Sequence, residues 1–321
     1  MTIPRFDATT IGEGQLRYSV PLGGHLERAS QLDVNVTGTE ANVTSLLSRL
    51  GWRCGWVSAL PRNPLGRHVA IEFAQSGLDL SAVVWSEDGR LAIYYVEFGT
   101  PPKGTQVYYD RKGTCFVNMT RDDIDWDYLL NTRLLHISGL SVPLSPSINS
   151  ILMEAVERAK AAGIPISFDM NYRSRIWTTD EAANAIAPFL QAVDVLFFAR
   201  GDAERMYGFS GTPEDIVRQL GELTSACAIV TSLGSEGIIA WDRRSLHIEP
   251  AKNIQVIDRI GAGDAMVAGV LHGWLQGDLF KGLRYGVLTA ALCLTHYGDA
   301  VYITRGELED LLERPDTDIV R

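Results

Sequence analysis

Short runs in which β-branched and aromatic residues alternate with polar ones open the chain: LRYSV from Leu16, LDVNVT from Leu32, LAIYYVEF from Leu91 and TQVYYD from Thr105. A period of two, bounded by Gly and Pro, predicts strands. Between them, EANVTSLLSRLG has helical spacing and stops at Gly51, WVSALP reads as a buried strand, and a helix is predicted from Pro64 to Ser76, ending at Gly77. After residue 130 the rhythm changes. LLHISGL, PISFDMN, VDVLFFA and ACAIVTSL are apolar strand-like runs, separated by helical segments such as SPSINSILMEAVERAKAAG and TTDEAANAIAPFLQAV. GIIAWD and SLHIEP predict a hairpin, IQVID a further strand, and the stretch from Gly261 onward is mainly helical.

Strand-then-helix repetition predicts an α/β fold, a mostly parallel sheet covered on both faces. The early alternating strands do not fit that rhythm. They predict a small antiparallel lid from two segments near residues 14–37 and 90–112, inserted into a single domain spanning residues 1–321.

Composition narrows the function. Of 321 residues 46% are hydrophobic and 21% charged, which suits a packed core rather than disorder. The formal charge of −10 and the lack of a Lys/Arg run argue against nucleic acid as a partner, and anions must be held by local donors. No apolar run has membrane-spanning length, the start has no signal-peptide pattern, and a cytoplasmic location is expected. The four cysteines form no CxxC and the six histidines no HExxH, so no metal site built from side chains is expected. The Tyr- and Val-rich lid strands would be costly to leave in water, which predicts a homodimer through the lid sheet.

Asp258-Arg-Ile-Gly261-Ala262-Gly263-Asp264-Ala-Met-Val-Ala-Gly269 carries the chemistry. Two close glycines let successive N–H groups converge, and at a helix start those donors are unpaired and the dipole is positive. A carboxylate at Asp264 could take a proton from a hydroxyl while the N–H groups stabilise a phosphoryl group. By spacing alone the segment fits a capped structural turn equally well. No G-x-x-x-x-G-K-[ST] loop is present.

DRIGAGDAMVAG resembles the D-x-x-G-A-G-D signature of the ribokinase-like (pfkB) carbohydrate kinases, and Gly38-Thr-Glu40-Ala-Asn42 is similar to that family's N-terminal Gly-Gly-x-x-x-N block. The resemblance implies a three-layer α/β/α core with a β-sheet lid, ATP and Mg²⁺ with or without a monovalent cation, Asp264 as base, and Gly261, Ala262 and Gly263 as anion hole. Asp169-Met-Asn171-Tyr-Arg173 and Tyr108-Tyr109-Asp-Arg111-Lys-Gly resemble the D-x-N-x-R and lid segments of the 2-keto-3-deoxygluconate kinases. That likeness assigns Arg111 and Arg173 to a sugar-acid carboxylate, which a planar guanidinium binds bidentately. It assigns Tyr95 and Tyr109 to the lid side of the substrate, and Gly38, Asn42, Asp169 and Asn171 to its core side. Without it, the arginines are surface residues paired to Asp110 and Asp169, and the tyrosines pack the sheet. On the nucleotide side the resemblance points to Ser232, Gly234, Gly237, Gly286 and Asp202, the last standing where the family has the Glu of N-x-x-E. The activity the resemblance implies is ATP-dependent phosphorylation of a hydroxyl on a small sugar acid, with 2-keto-3-deoxygluconate the first expectation. A neutral-sugar kinase and a non-catalytic sugar-acid binder are the alternatives.

Overall fold

The computed structural model describes residues 3–99 and 102–313. Nine strands form the large sheet, in the spatial order Leu246–Glu249, Ile238–Trp241, Ala228–Ser232, Val195–Ala199, Ile166–Asp169, Leu135–Ser138, Ala8–Ile11, Cys54–Pro61 and Val83–Ser86. All neighbours run parallel except the first three strands named, which pair antiparallel and contain the predicted hairpin. Alternate residues of a strand face opposite layers. In Val195–Ala199, Leu196 and Phe198 join a core with the helices Pro146–Ala161, Thr179–Leu190 and Pro213–Leu223. Val195 and Phe197 join a second core with Thr39–Arg49, Ala262–Leu275 and Leu279–Leu294. Burial on both faces explains why these strands read as unbroken apolar runs.

The lid is a four-stranded sheet ordered Asp33–Thr37, Gln15–Val20, Ala92–Glu97 and Gln106–Asp110. Its central pair is parallel and its outer pairs antiparallel, so the small sheet is mixed rather than purely antiparallel as predicted. The large sheet, mostly parallel and covered by helices on both faces, and the small separate sheet are the expected α/β architecture. Among the described residues no helix is long and apolar enough to cross a membrane.

Three differences from the sequence reading have physical causes. Ala8–Ile11 and Val83–Ser86 are strands of four residues each, too short to show a period, and the first exists because strands on both sides pair with it. IQVID is not a strand. It finds no sheet neighbour, Val256 and Ile257 stay 40% and 44% exposed, and the Ile257 N–H bonds to the Leu294 carbonyl instead.

Ala262–Leu275 is buried almost all round because Leu279–Leu294 packs on it through glycine. A Cβ on Gly269 would lie 2.7 Å from the Gly286 Cα and 2.5 Å from the Thr289 hydroxyl. The neighbour is backbone and cannot step aside. Gly269→Val is therefore expected to lower the unfolding free energy by about 1–3 kcal/mol, seen as a lower urea midpoint.

Candidate active site

A cleft of about 880 Å³ lies between the lid and the C-terminal ends of the parallel strands, where open α/β sheets place ligands. Asp169, Ala199 and Ser232 line it from strand ends, Thr37, Tyr94 and Tyr109 from the lid, and Gly261, Gly263 and Asp264 from the helix start.

The helix start has the geometry of an anion site. Gly261 caps it with φ +87°, a left-handed conformation that suits glycine, and a Cβ there would lie 2.8 Å from the Asp299 Cα. The first intrahelical bond runs from the Ala265 N–H to the Gly261 carbonyl at 2.9 Å, so the N–H groups of Ala262, Gly263 and Asp264 precede it. A Cβ on Gly263 would meet no heavy atom within 4 Å, which leaves the turn open to the cleft.

Asp264 stands in that first turn and both its oxygens are held. The Thr39 hydroxyl donates to Oδ1 at 2.5 Å and the Asn42 amide to Oδ2 at 2.8 Å. The Thr39 hydroxyl also accepts from the Asn171 Nδ2 at 2.7 Å, so the strand end carrying Asn171 orients the donor that orients the carboxylate. Asn171 has φ 45°, a left-handed position that Asn tolerates better than most residues. Burial pushes the Asp264 pKa up to about 6; the Thr39 and Asn42 bonds oppose the rise, Asp299 adds to it and Arg173 opposes it. A base near pH 6 is still ionised at neutrality.

On the substrate side, Asp169, Asn171, Arg173, Arg111 and Tyr109 all line the cleft. Crowding by protein lifts Asp169 to about 7, Asp264 adding to the rise and Arg173 countering it. Arg111 does not pair with Asp110, which is taken by Arg90. Its Nε donates to the buried Glu13 at 2.7 Å, and its Nη1 is buried without a partner among the described residues. Among the described residues Arg173 donates only to the Tyr172 carbonyl, at 3.1 Å.

Three of the substrate-side expectations come out differently. Tyr95 is not brought to the cleft. It lies on the outer face of the lid, stacked on Tyr18 with ring centroids 5.7 Å apart, and its neighbour Tyr94 faces inward opposite Tyr109. Asn42 holds Asp264 rather than lining the cleft. Gly38 does not line it either; a Cβ there would come 2.7 Å from the Glu13 carbonyl, so glycine lets two backbones pass closely.

On the nucleotide side Ser232 and Asp202 line the cleft. Asp202 accepts from Arg205 at 2.5 Å, and burial raises its pKa although Arg205 and Arg173 oppose the rise. Gly234 and Gly237 form a tight turn after the strand, with φ +64° and +113° and the Leu233 N–H bonded to the Gly237 carbonyl at 2.8 Å; neither lines the cleft. Gly286 is displaced furthest from expectation. It sits in the helix pair, where a Cβ would lie 2.7 Å from Val270 Cγ2.

Residues that sequence reasoning missed include Thr39, Tyr94, Asp299 and Arg259. Thr39 stood within the quoted Gly38–Asn42 block, and Tyr94 was marked by the strand's alternation. Arg259, two residues before Gly261, lines the cleft, is exposed, and has no acidic partner within 4 Å among the described residues. No cluster of three or more His, Cys, Asp or Glu that could cage a metal occurs among the described residues. Mg²⁺ does not need one, since it is usually bound through one or two carboxylates, waters and substrate phosphates. Asp202 and Asp169 fit that donor set.

Residues 11–304 match the sequence profile of the pfkB family carbohydrate kinases. A 2-dehydro-3-deoxygalactonokinase of Haloferax volcanii is 32% identical over 316 residues, 98% of this chain and 99% of its own length. A 2-dehydro-3-deoxygluconokinase of Bacillus subtilis is 30% identical, covering 92% of this chain and 91% of its own. The crystal structure of 2-dehydro-3-deoxygluconokinase from Thermotoga maritima superposes with a TM-score of 0.88 at 28% identity, over 96% of this chain and 99% of that one.

Two outcomes are expected from this geometry. A base must be ionised to act, so kcat/KM should rise with pH through about 6, the raised Asp264 value, and level off above it; a profile flat from acid to neutral pH contradicts the assignment. Tyr94→Phe, which loses the 2.9 Å bond to Asp299, should lower kcat/KM, whereas Tyr95→Phe should leave it unchanged.

Proposed function

Because the chain belongs to the pfkB family of carbohydrate kinases, and is thus a phosphotransferase that uses ATP, we propose that its substrate is a 2-dehydro-3-deoxy sugar acid of the gluconate or galactonate type. One observation supports this above the others: Arg111 and Arg173 share a cleft with a base held at the head of a helix. Two guanidiniums suit a carboxylate, and a neutral sugar calls for neither.

The sugar acid sits beneath the lid with its carboxylate toward Arg173 and the unpartnered Nη1 of Arg111. Its reacting hydroxyl faces Asp264, and Tyr94 and Tyr109 close over it. The phosphates of ATP lie along the Gly261–Gly263 turn, with Arg259 at its mouth. Asp264 takes the hydroxyl proton as the alcohol oxygen bonds to the γ-phosphorus; the bond from that phosphorus to the β,γ-bridging oxygen breaks and ADP leaves. The N–H groups of the turn stabilise charge on the transferring phosphoryl. Asp202 and Asp169 would hold Mg²⁺ carried with the phosphates, and it would neutralise part of their charge.

The Arg111–Glu13 pair favours a second reading. A guanidinium already compensated by a buried carboxylate attracts a ligand anion less, which suits a neutral sugar. ADP release with Mg-ATP across a panel of sugar acids and neutral sugars separates the two. Arg173→Ala should raise KM for the acid about ten- to a hundredfold, the worth of a charge-assisted hydrogen bond. Preferred turnover of a neutral sugar, with KM untouched by the substitution, would favour the second reading.

The lid's outer face carries Tyr18, Val34, Tyr95 and Tyr108, with Val34 46% and Tyr108 47% exposed. We take a second copy of the chain as its cover, since an aromatic sheet face of this kind pairs readily with itself about a two-fold axis. Sedimentation at micromolar concentration should show a dimer that Tyr108→Lys weakens, and a monomer would contradict it.

A further inference from the structure

Beside the anion-hole turn lies a buried ionic cluster that the reaction above leaves without a role. Arg17, on the lid strand Gln15–Val20, is fully buried. Its Nη2 donates to Asp258 Oδ2 and its Nη1 to Asp299 Oδ1 at 2.5 Å; the side chains of the two acids are 0% and 3% exposed. Each acid also ties down its surroundings. Asp258 Oδ1 accepts from the Ile260 N–H at 3.0 Å, and its Oδ2 from the Gly298 N–H at 3.3 Å. Asp299 Oδ2 accepts from the Thr37 hydroxyl at 2.7 Å and the Tyr94 hydroxyl at 2.9 Å, while Gly261 lies against the Asp299 backbone. One guanidinium thus joins three lid strands to both sides of the turn that forms the anion hole.

The charge arithmetic is as telling as the geometry. Two carboxylates this close to a triphosphate site would repel the nucleotide, and in a low dielectric that repulsion is large. A buried ion pair is worth little as plain stabilisation, yet removing one partner is costly because it strands the other charge. Burial alone would pull the Arg17 pKa down; Asp299 and Asp258 more than reverse that, so the side chain stays charged. A soluble cation that countered these two charges would have to approach carboxylate oxygens that Arg17 already holds.

We propose that Arg17 is a built-in monovalent cation for phosphoryl transfer: a positioning residue that neutralises Asp258 and Asp299, fixes the Gly261 turn against the lid, and makes turnover independent of added potassium or sodium. The inference rests on the kinase reading of the site. It also ties lid position to anion-hole geometry, so a displaced lid disturbs the turn. Asp264 faces Asp299, Arg173 and Asp169, and its field reaches Glu40; of these, Asp299 loses its counter-charge when Arg17 is removed.

The test uses the full chain and whichever acceptor of the panel releases ADP. Wild-type turnover in tetramethylammonium buffer should be unchanged by added KCl or NaCl. Arg17→Gln should lose roughly 10²-fold in kcat, as when a donor to the transferring group is lost, with a smaller change in KM. It should also shift the acid limb of the pH profile upward, and recover part of its rate with KCl or guanidinium chloride. A purely structural role would lower the melting temperature without the pH shift or the rescue. If Arg17→Gln does not fold, Arg17→Lys, which keeps the charge but cannot span both acids, should show lower kcat and a gain of KCl stimulation. Potassium stimulation of the wild type, or either variant with wild-type kcat and no salt response, would overturn the proposal. Failure of every acceptor would instead sink the kinase reading itself.

Discussion

A carboxylate and a cradle of unpaired backbone donors at the head of one helix would normally satisfy each other. In this chain they are kept apart by giving the carboxylate other partners. Thr39 and Asn42, both on the helix Thr39–Arg49, take one oxygen of Asp264 each, and the N–H groups of Ala262, Gly263 and Asp264 are left ahead of the first intrahelical bond, at the edge of the cleft. The rest of the molecule serves that separation. The helix Ala262–Leu275 is buried almost all round so that its start cannot shift, and its glycines let the next helix clamp it. Asn171, at a strand end, fixes the Thr39 hydroxyl from the other side.

Electrostatics in the cleft follow from the same crowding. Burial raises both Asp264 and Asp169; Asp299 adds to the first rise, Asp264 adds to the second, and Arg173 opposes both. Beneath the lid, Asp258 and Asp299 would add further negative charge, but Arg17 answers them. The site is therefore acidic by composition and balanced by arginines that come from separate elements: a lid strand, a loop after the lid, and a strand end. The proposed sugar acid and the phosphates of ATP would meet those positive charges only when these elements are assembled.

Much of this was legible in the chain. The Gly-Ala-Gly-Asp turn is local, so its helix start and open backbone could be read from adjacent residues. The lid strands were legible because one exposed face forces a period of two. What escaped was whatever depended on partners far along the chain. Arg17 meets Asp258 and Asp299 across 241 and 282 residues, and nothing near Arg17 marks it as buried. A Tyr-Tyr pair in a strand says that one ring faces inward, but only the register opposite Tyr109 selects Tyr94 over Tyr95. Gly286 could serve a nucleotide or a helix contact by residue type alone; the closeness of Val270 decides for the contact. Ala8–Ile11 is a strand because two others flank it, which no window of four residues can reveal.

We propose Asp264 as the base, poised rather than merely buried. Asp264→Asn keeps the side-chain shape and removes the capacity to accept a proton, so single-turnover phosphoryl transfer by this variant is the direct measurement. The expected rate is about 10²–10⁴-fold below wild type, the usual worth of a general base, with ATP and sugar binding retained. A variant that transfers phosphate at the wild-type rate would contradict it.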